Sequence, residues 1–156
     1  MHVLFVCTGN ICRSPTAERL ATALGAQLPE FRASSAGTRA VIGHPIHDQA
    51  ASVLEQLGGD AANFQARQIN SRIASDADLV LTMTRAHRDT VLQLAPRQLH
   101  RTFTLSEAAY LSTRHEAQDV AALAPLRPLV DKHEVFDIAD PIGHGPDVFA
   151  TVGHRI

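Results

Sequence analysis

Val3-Leu4-Phe5-Val6-Cys7-Thr8-Gly9-Asn10-Ile11-Cys12-Arg13-Ser14-Pro15 opens the chain and decides how the rest is read. Val3 to Val6 form an unbroken apolar run, the pattern of a strand buried on both faces of a parallel sheet. A polar loop with a glycine and an asparagine follows, and Pro15 suits the first turn of a helix. A strand, loop and helix in this order aim successive backbone N–H groups at one point, which makes an anion site. Arg13 adds a planar fork matched to phosphate oxygens. Cys7 sits where that positive field stabilises a thiolate. A thiol nucleophile at the bottom of an oxyanion cradle is equipped to cleave a phosphate ester.

Beyond this segment, strand and helix patterns alternate without repeats or low-complexity tracts. Ala17, Leu20, Ala21 and Leu24 recur at helical spacing, which predicts a helix from about Pro15 to Gln27. Pro29 marks a break before a strand from Phe31 to Ala36, ended by Gly37. Ala50, Val53, Leu54 and Leu57 predict a second helix, stopped by Gly58-Gly59. Ser71 is the expected cap of a short helix before a strand from Leu79 to Met83. A helix from Arg85 to Leu94 stops before Pro96, Thr102 to Leu105 reads as a fourth strand, and Ser106 as the N-cap of the next helix. Residues 112–134 read as helix interrupted by Pro125 and Pro128. The expected fold is α/β: one domain over residues 1–156, a four-stranded parallel sheet with right-handed crossovers and helices on both faces. In such sheets ligands bind beyond the carboxyl ends of strands, where Cys7 and the phosphate-binding loop lie after strand 1.

The bulk numbers narrow the function classes. A chain of 156 residues, 45% hydrophobic and 19% charged, reads as an ordered globular protein with a proper core. A net charge of −2 offers no general attraction to nucleic acid or an anionic membrane, and no apolar run is long enough to span a bilayer. Met1-His2 leads straight into the first strand, so no signal peptide is expected. The two cysteines stand in one short loop and form no structural framework, which suits the reducing cytoplasm. Nine histidines are scattered without accompanying cysteine or carboxylate clusters, and are read as surface and loop residues; neither metal nor cofactor is expected.

The spacing Cys7-x5-Arg13-Ser14-Pro15, with Gly9, Asn10 and Cys12 inside it, resembles the low-molecular-weight protein tyrosine phosphatases. Ser34-Ser35-Ala36-Gly37-Thr38, Ala66-Arg67-Gln68-Ile69, Asp78 to Met83 and Asp140-Pro141 resemble family segments in the same order. The resemblance implies Cys7 as nucleophile and Arg13 as binder of phosphoryl oxygens. It implies Asp140 as the general acid, on a pair that is by itself common in turns. Thr8, Gly9, Asn10, Ile11, Cys12, Arg13 and Ser14 are the expected phosphate-binding residues, Thr8 and Ile11 mainly through backbone N–H groups. Gly9 is read as permitting a tight loop and a close backbone approach, Asn10 as tolerating left-handed geometry, and Ser14 as a donor to the Cys7 sulfur or a helix cap. Ser35 matches the family's supporting serine. Cys12 is either loop packing or, as in the family, a reversible disulfide partner that shields Cys7 from overoxidation.

Departures from the family pattern bear on specificity. The loop after Ser35-Ala36-Gly37 reads Arg39-Ala40-Val41-Ile42-Gly43 and lacks the aromatic that walls the pocket in many members. Ile142 stands where an aromatic usually follows Asp140-Pro141, so Val41 and Ile142 supply an aliphatic wall in place of ring stacking. Such residues resemble the bacterial branch that partners exopolysaccharide-export tyrosine kinases, which implies a phosphotyrosine protein substrate and a bacterial tyrosine kinase as partner. Phe64 replaces the histidine that often stands two residues before Ala66, removing one supporting contact. Ile11 replaces the threonine of relatives that act on phosphoarginine and points to tyrosine-type esters. The last helix, from about Asp147, is shorter than in relatives, as if trimmed or naturally short.

Two other readings stay open. Arsenate reductases share this loop; the thioredoxin-linked form needs cysteines after Cys12, and none exists, but a form using an external low-molecular-weight thiol needs only Cys7. A catalytically silent phosphate-binding module would need neither the thiol nor Asp140. A nucleotide-binding loop of the Gly-Lys-Ser/Thr type is not expected, because that ending is missing.

Overall fold

Strand β1 (His2–Cys7) occupies the middle of the sheet, as its apolar run requires. A computed structural model, which describes residues 1–131 and 135–156, places β2 (Arg32–Gly37) on one side of it. On the other side lies β3 (Leu79–Thr82), followed by β4 (Thr102–Thr104). All pairings are parallel and the order is β2-β1-β3-β4. The chain therefore leaves β1 towards one edge and later crosses to its other side. That makes the carboxyl end of β1 the switch point where such sheets bind ligands.

Side chains alternate along β1 and divide the core. Val3, Phe5 and Cys7 face one layer with Leu81, Met83 and Phe103. That layer is covered by α1 (Arg13–Leu24), α5 (Leu105–Arg114), α6 (Val120–Leu126) and α7 (Pro146–Arg155) through Ala17, Leu111, Leu123 and Val152. Leu4 and Val6 face the other layer, beneath α3 (Ser71–Ser75) and α4 (Arg85–Leu94). Each fully buried Leu, Val or Phe contributes about 1.5–3 kcal/mol. A third cluster, Cys12, Ile46, Leu54, Phe64 and Phe149, joins α2 (Asp48–Gln56) and α7 to the underside of the loop after β1.

Several boundaries differ from expectation for local reasons. Helix α1 ends at Leu24, which is exposed, and Gly25 is its C-cap; Phe31 packs so close to Gly25 that a Cβ there would lie 2.4 Å from its ring. Asn70, not Ser71, caps α3, its side chain accepting from the Ile73 N–H. Thr104 caps α5 by accepting from the Glu107 N–H, while Ser106 donates to the Phe136 carbonyl instead. The helix expected over residues 112–134 is α5 ending at Arg114, then α6 with Pro125 inside it, then a 3-10 turn Arg127–Leu129; residues 132–134 lie outside the described residues. No described helix is long and apolar enough to cross a membrane.

Candidate active site

The loop from Cys7 to Ser14 is held from outside by its carbonyls. The Cys7, Thr8, Gly9 and Ile11 carbonyls accept from the N–H groups of Thr38, Arg39, Val41 and His47 at 2.7–3.0 Å. Among the described residues, none of the N–H groups from Thr8 to Ser14 donates to a protein acceptor. A segment with its carbonyls tied outward and its N–H groups free is a cradle for an anion. Helix α1 begins within it, and no acidic residue stands in its first turn.

Asn10 fixes the shape. It is fully buried, with φ at 56°, the left-handed conformation that asparagine tolerates. Its amide nitrogen donates to the Ser14 and Ser35 hydroxyls, both at 2.9 Å, and its Oδ1 accepts from the Arg67 N–H at 2.8 Å. Ser14 Oγ lies 2.8 Å from Cys7 Sγ. Asn10 already donates to that oxygen, so the Ser14 proton is free for the sulfur. Ser35 donates in turn to Glu18 Oε1 at 2.8 Å, and Glu18 pairs with Arg19. Arg19 reaches the Asp60 and Ala62 carbonyls and lies over the Phe64 ring. Phe64 is buried beside α2, and Glu18 holds Ser35 directly.

Gly9 is unstrained in the loop. Its φ is not positive, and a Cβ there would meet only Ile11 and Val41 at ordinary contact distances. The close approach occurs at Gly37, where a Cβ would lie 2.3 Å from the Thr8 carbonyl oxygen. The small residue that the loop backbone requires is thus on β2.

Arg13 is buried, its side chain 5% exposed, with Nη1 donating to the Ile138 carbonyl at 2.8 Å. Nη2 lies 3.8 Å from Asp140 Oδ2 and 3.5 Å from Thr8 Oγ1. Asp140 is half exposed, and its Oδ1 accepts from the Ile142 N–H at 3.0 Å, a turn that holds the carboxyl at the rim. A cavity of about 230 Å³ opens above the loop. Cys7, Thr8, Gly9, Ile11, Cys12 and Arg13 line its base, and Val41, Asp140 and Ile142 its walls. Asn10, Ser14 and Ser35 support it through hydrogen bonds. Every residue singled out in the sequence therefore lies in the cavity or in the network that holds its base.

Two neighbours were not foreseen. Arg39 lines the wall beside Val41. His87 is buried rather than on the surface, its Nε2 2.8 Å from Thr8 Oγ1. The one sequence signal for His87 is Thr84 three residues before it, a helix-capping spacing. Burial and the nearby Arg13 charge hold the His87 pKa down at about 4, so its ring is neutral near pH 7. Both cysteines are free. Burial, with the nearby Cys7 and Asp140, pushes the Cys12 thiol up to about 12.

A low molecular weight phosphotyrosine protein phosphatase family model matches residues 2–127. The chain is 40% identical over 94 residues to the probable low molecular weight protein-tyrosine-phosphatase AmsI of Erwinia amylovora, a match covering 60% of this chain and 63% of AmsI. The AmsI crystal structure superposes with a TM-score of 0.73 at 31% identity over 98% of this chain and 83% of that one. PtpB of Staphylococcus epidermidis, named a low molecular weight protein-tyrosine-phosphatase, is 34% identical over 148 residues, covering 91% of this chain and 96% of PtpB. The YwlE arginine phosphatase of Geobacillus stearothermophilus matches with a TM-score of 0.75 at 30% identity over 99% of this chain and 84% of YwlE. With a family model over most of its length and a relative aligned almost end to end, the chain belongs to the low molecular weight phosphotyrosine protein phosphatase family.

Proposed function

We propose that this protein hydrolyses phosphotyrosine monoesters through a cysteinyl-phosphate intermediate. The observation that carries the reading is the Cys7 sulfur at the base of a cavity with the Arg13 guanidinium beside it and the Asp140 carboxyl at its rim. In the first step Cys7 Sγ attacks phosphorus, the bond to the leaving oxygen breaks, and Asp140 delivers a proton to that oxygen. Arg13 and the loop N–H groups stabilise the charge on the equatorial oxygens. In the second step water attacks the phosphocysteine, Asp140 takes its proton, and the Ser14 hydroxyl stabilises the departing thiolate.

Tyrosine-type esters are favoured by the aliphatic side chains that line the cavity. Ile11 at the base and Val41 and Ile142 on the walls offer an aliphatic surface to a phenyl ring. A tyrosine-phosphorylated protein, including a bacterial tyrosine kinase, is the proposed partner. The reducing cytoplasm, which keeps the free Cys7 thiol reduced, is the proposed location. Cys12 is proposed as the redox partner of Cys7. Burial favours its protonated form, so capture of an oxidised Cys7 should quicken as pH rises. A Cys12→Ser variant that recovers from peroxide as fully as wild type would refute that role.

Phosphate release from p-nitrophenyl phosphate, with a chelator present, tests the main reading on wild type and Cys7→Ser. Turnover by wild type alone supports it, and faster release from phosphotyrosine than from phosphoarginine peptides supports the substrate class. No ester turnover, with arsenate reduced in the presence of a small thiol, would replace it with the reductase. Phosphate binding without either reaction would leave a silent binding module.

A further inference from the structure

His87 meets the phosphate loop from across the sheet and has a defined tautomer. It is the third residue of α4, 6% exposed, and 79 residues from Thr8 in sequence. Its Nδ1 accepts from the Thr84 N–H at 3.2 Å, so in the neutral ring the proton resides on Nε2. Nε2 lies 2.8 Å from Thr8 Oγ1, and the hydrogen bond therefore runs from His87 to Thr8. The Arg13 Nη2 group approaches the same oxygen at 3.5 Å. A hydroxyl has two acceptor sites and one proton. With N–H groups at both acceptor sites, the Thr8 proton is left for a third partner, and Thr8 lines the cavity above Cys7.

We propose that the Thr8 hydroxyl donates to a phosphoryl oxygen of the bound substrate, and that His87 is the positioning residue that orients it. The proposal rests on the phosphatase reading of the cavity and assigns Thr8 a side-chain role beyond its backbone N–H. A neutral His87 suits it, since a protonated ring would lose its acceptor for Thr84 and set a second cation beside Arg13.

Binding of inorganic phosphate and kcat/KM for p-nitrophenyl phosphate would be measured for wild type, Thr8→Val, Thr8→Ser, His87→Asn and the Thr8→Val/His87→Asn double variant. Asparagine can still accept from the Thr84 N–H but is too short to reach Thr8. Thr8→Val should weaken phosphate binding and lower kcat/KM by roughly tenfold, with Thr8→Ser restoring most of both. His87→Asn should cause a similar loss in wild type and little further loss in the Thr8→Val background. Wild-type phosphate affinity in Thr8→Val would overturn the proposal. So would an equal loss from His87→Asn in both backgrounds, which would reduce His87 to a helix cap. If His87→Asn fails to fold, the Thr8→Val and Thr8→Ser pair decides. If wild type binds phosphate without ester turnover, the phosphatase reading has failed, and the same comparison is then read from phosphate affinity alone.

Discussion

The base of the cavity and its walls are built on different principles. At the base, Asn10, Ser14 and Ser35 are buried and each makes at least two hydrogen bonds, so one arrangement of the loop around Cys7 is enforced. The walls are Val41 and Ile142, both well exposed, with Ile42 beside them 73% exposed. A buried, fully partnered network is costly to alter, whereas an exposed aliphatic wall tolerates substitution. On the proposed reading, the base sets the chemistry and the walls set the choice of ester. Asp140 is where the two meet: exposed, yet paired with the buried Arg13.

The largest change expected from a single substitution at that junction is in Asp140→Asn. It should lower kcat/KM on the order of a hundredfold for phenyl or alkyl phosphates and far less for p-nitrophenyl phosphate, whose leaving group needs little protonation. Equal losses of kcat/KM for both would remove Asp140 from protonation of the leaving oxygen. Asn10→Ala removes three hydrogen bonds, two of them buried, and places alanine at φ 56°, with an expected loss of about 2–4 kcal/mol in urea unfolding. Turnover should fall with it, roughly tenfold, as Ser14 loses its orienting donor. A stable and fully active Asn10→Ala would mean that the base is less rigid than its hydrogen bonds imply.

His87 gives the base a pH dependence of its own. Its pKa is about 4 in the folded protein against an ordinary value of 6.5, so the unfolded chain takes up the proton first. The stability it contributes is complete above about pH 6.5 and is lost as pH falls through about 4. Urea midpoints between pH 7 and 4.5 should fall more steeply for wild type than for His87→Asn; identical slopes would contradict the assignment. The smallest effect belongs to the walls. Val41→Tyr should lower KM for phosphotyrosine peptides a few-fold through ring contact, leaving kcat unchanged. A change in kcat instead would show that wall and base are coupled.

What could be read from sequence follows the same division. Cys7, Arg13 and Ser14 were readable because the cradle is one contiguous segment between a buried strand and a helix. Asp140 needed the family resemblance, since an Asp-Pro pair alone specifies only a turn. His87 was missed because its link to Thr8 spans two strands of the sheet and leaves no local pattern beyond the cap at Thr84. The close contact of Gly37 with the loop is illegible for the same reason: it depends on the pairing of β1 with β2.

The central claim is that Cys7 carries the phosphoryl group between the two steps. Rapid acid quench of wild type during turnover of p-nitrophenyl phosphate, followed by peptide mass spectrometry, tests it directly. One phosphoryl group should be found on Cys7 and none elsewhere, with the signal lost in Cys7→Ser. Turnover with no labelled Cys7 peptide, or with the label on another residue, would contradict the account.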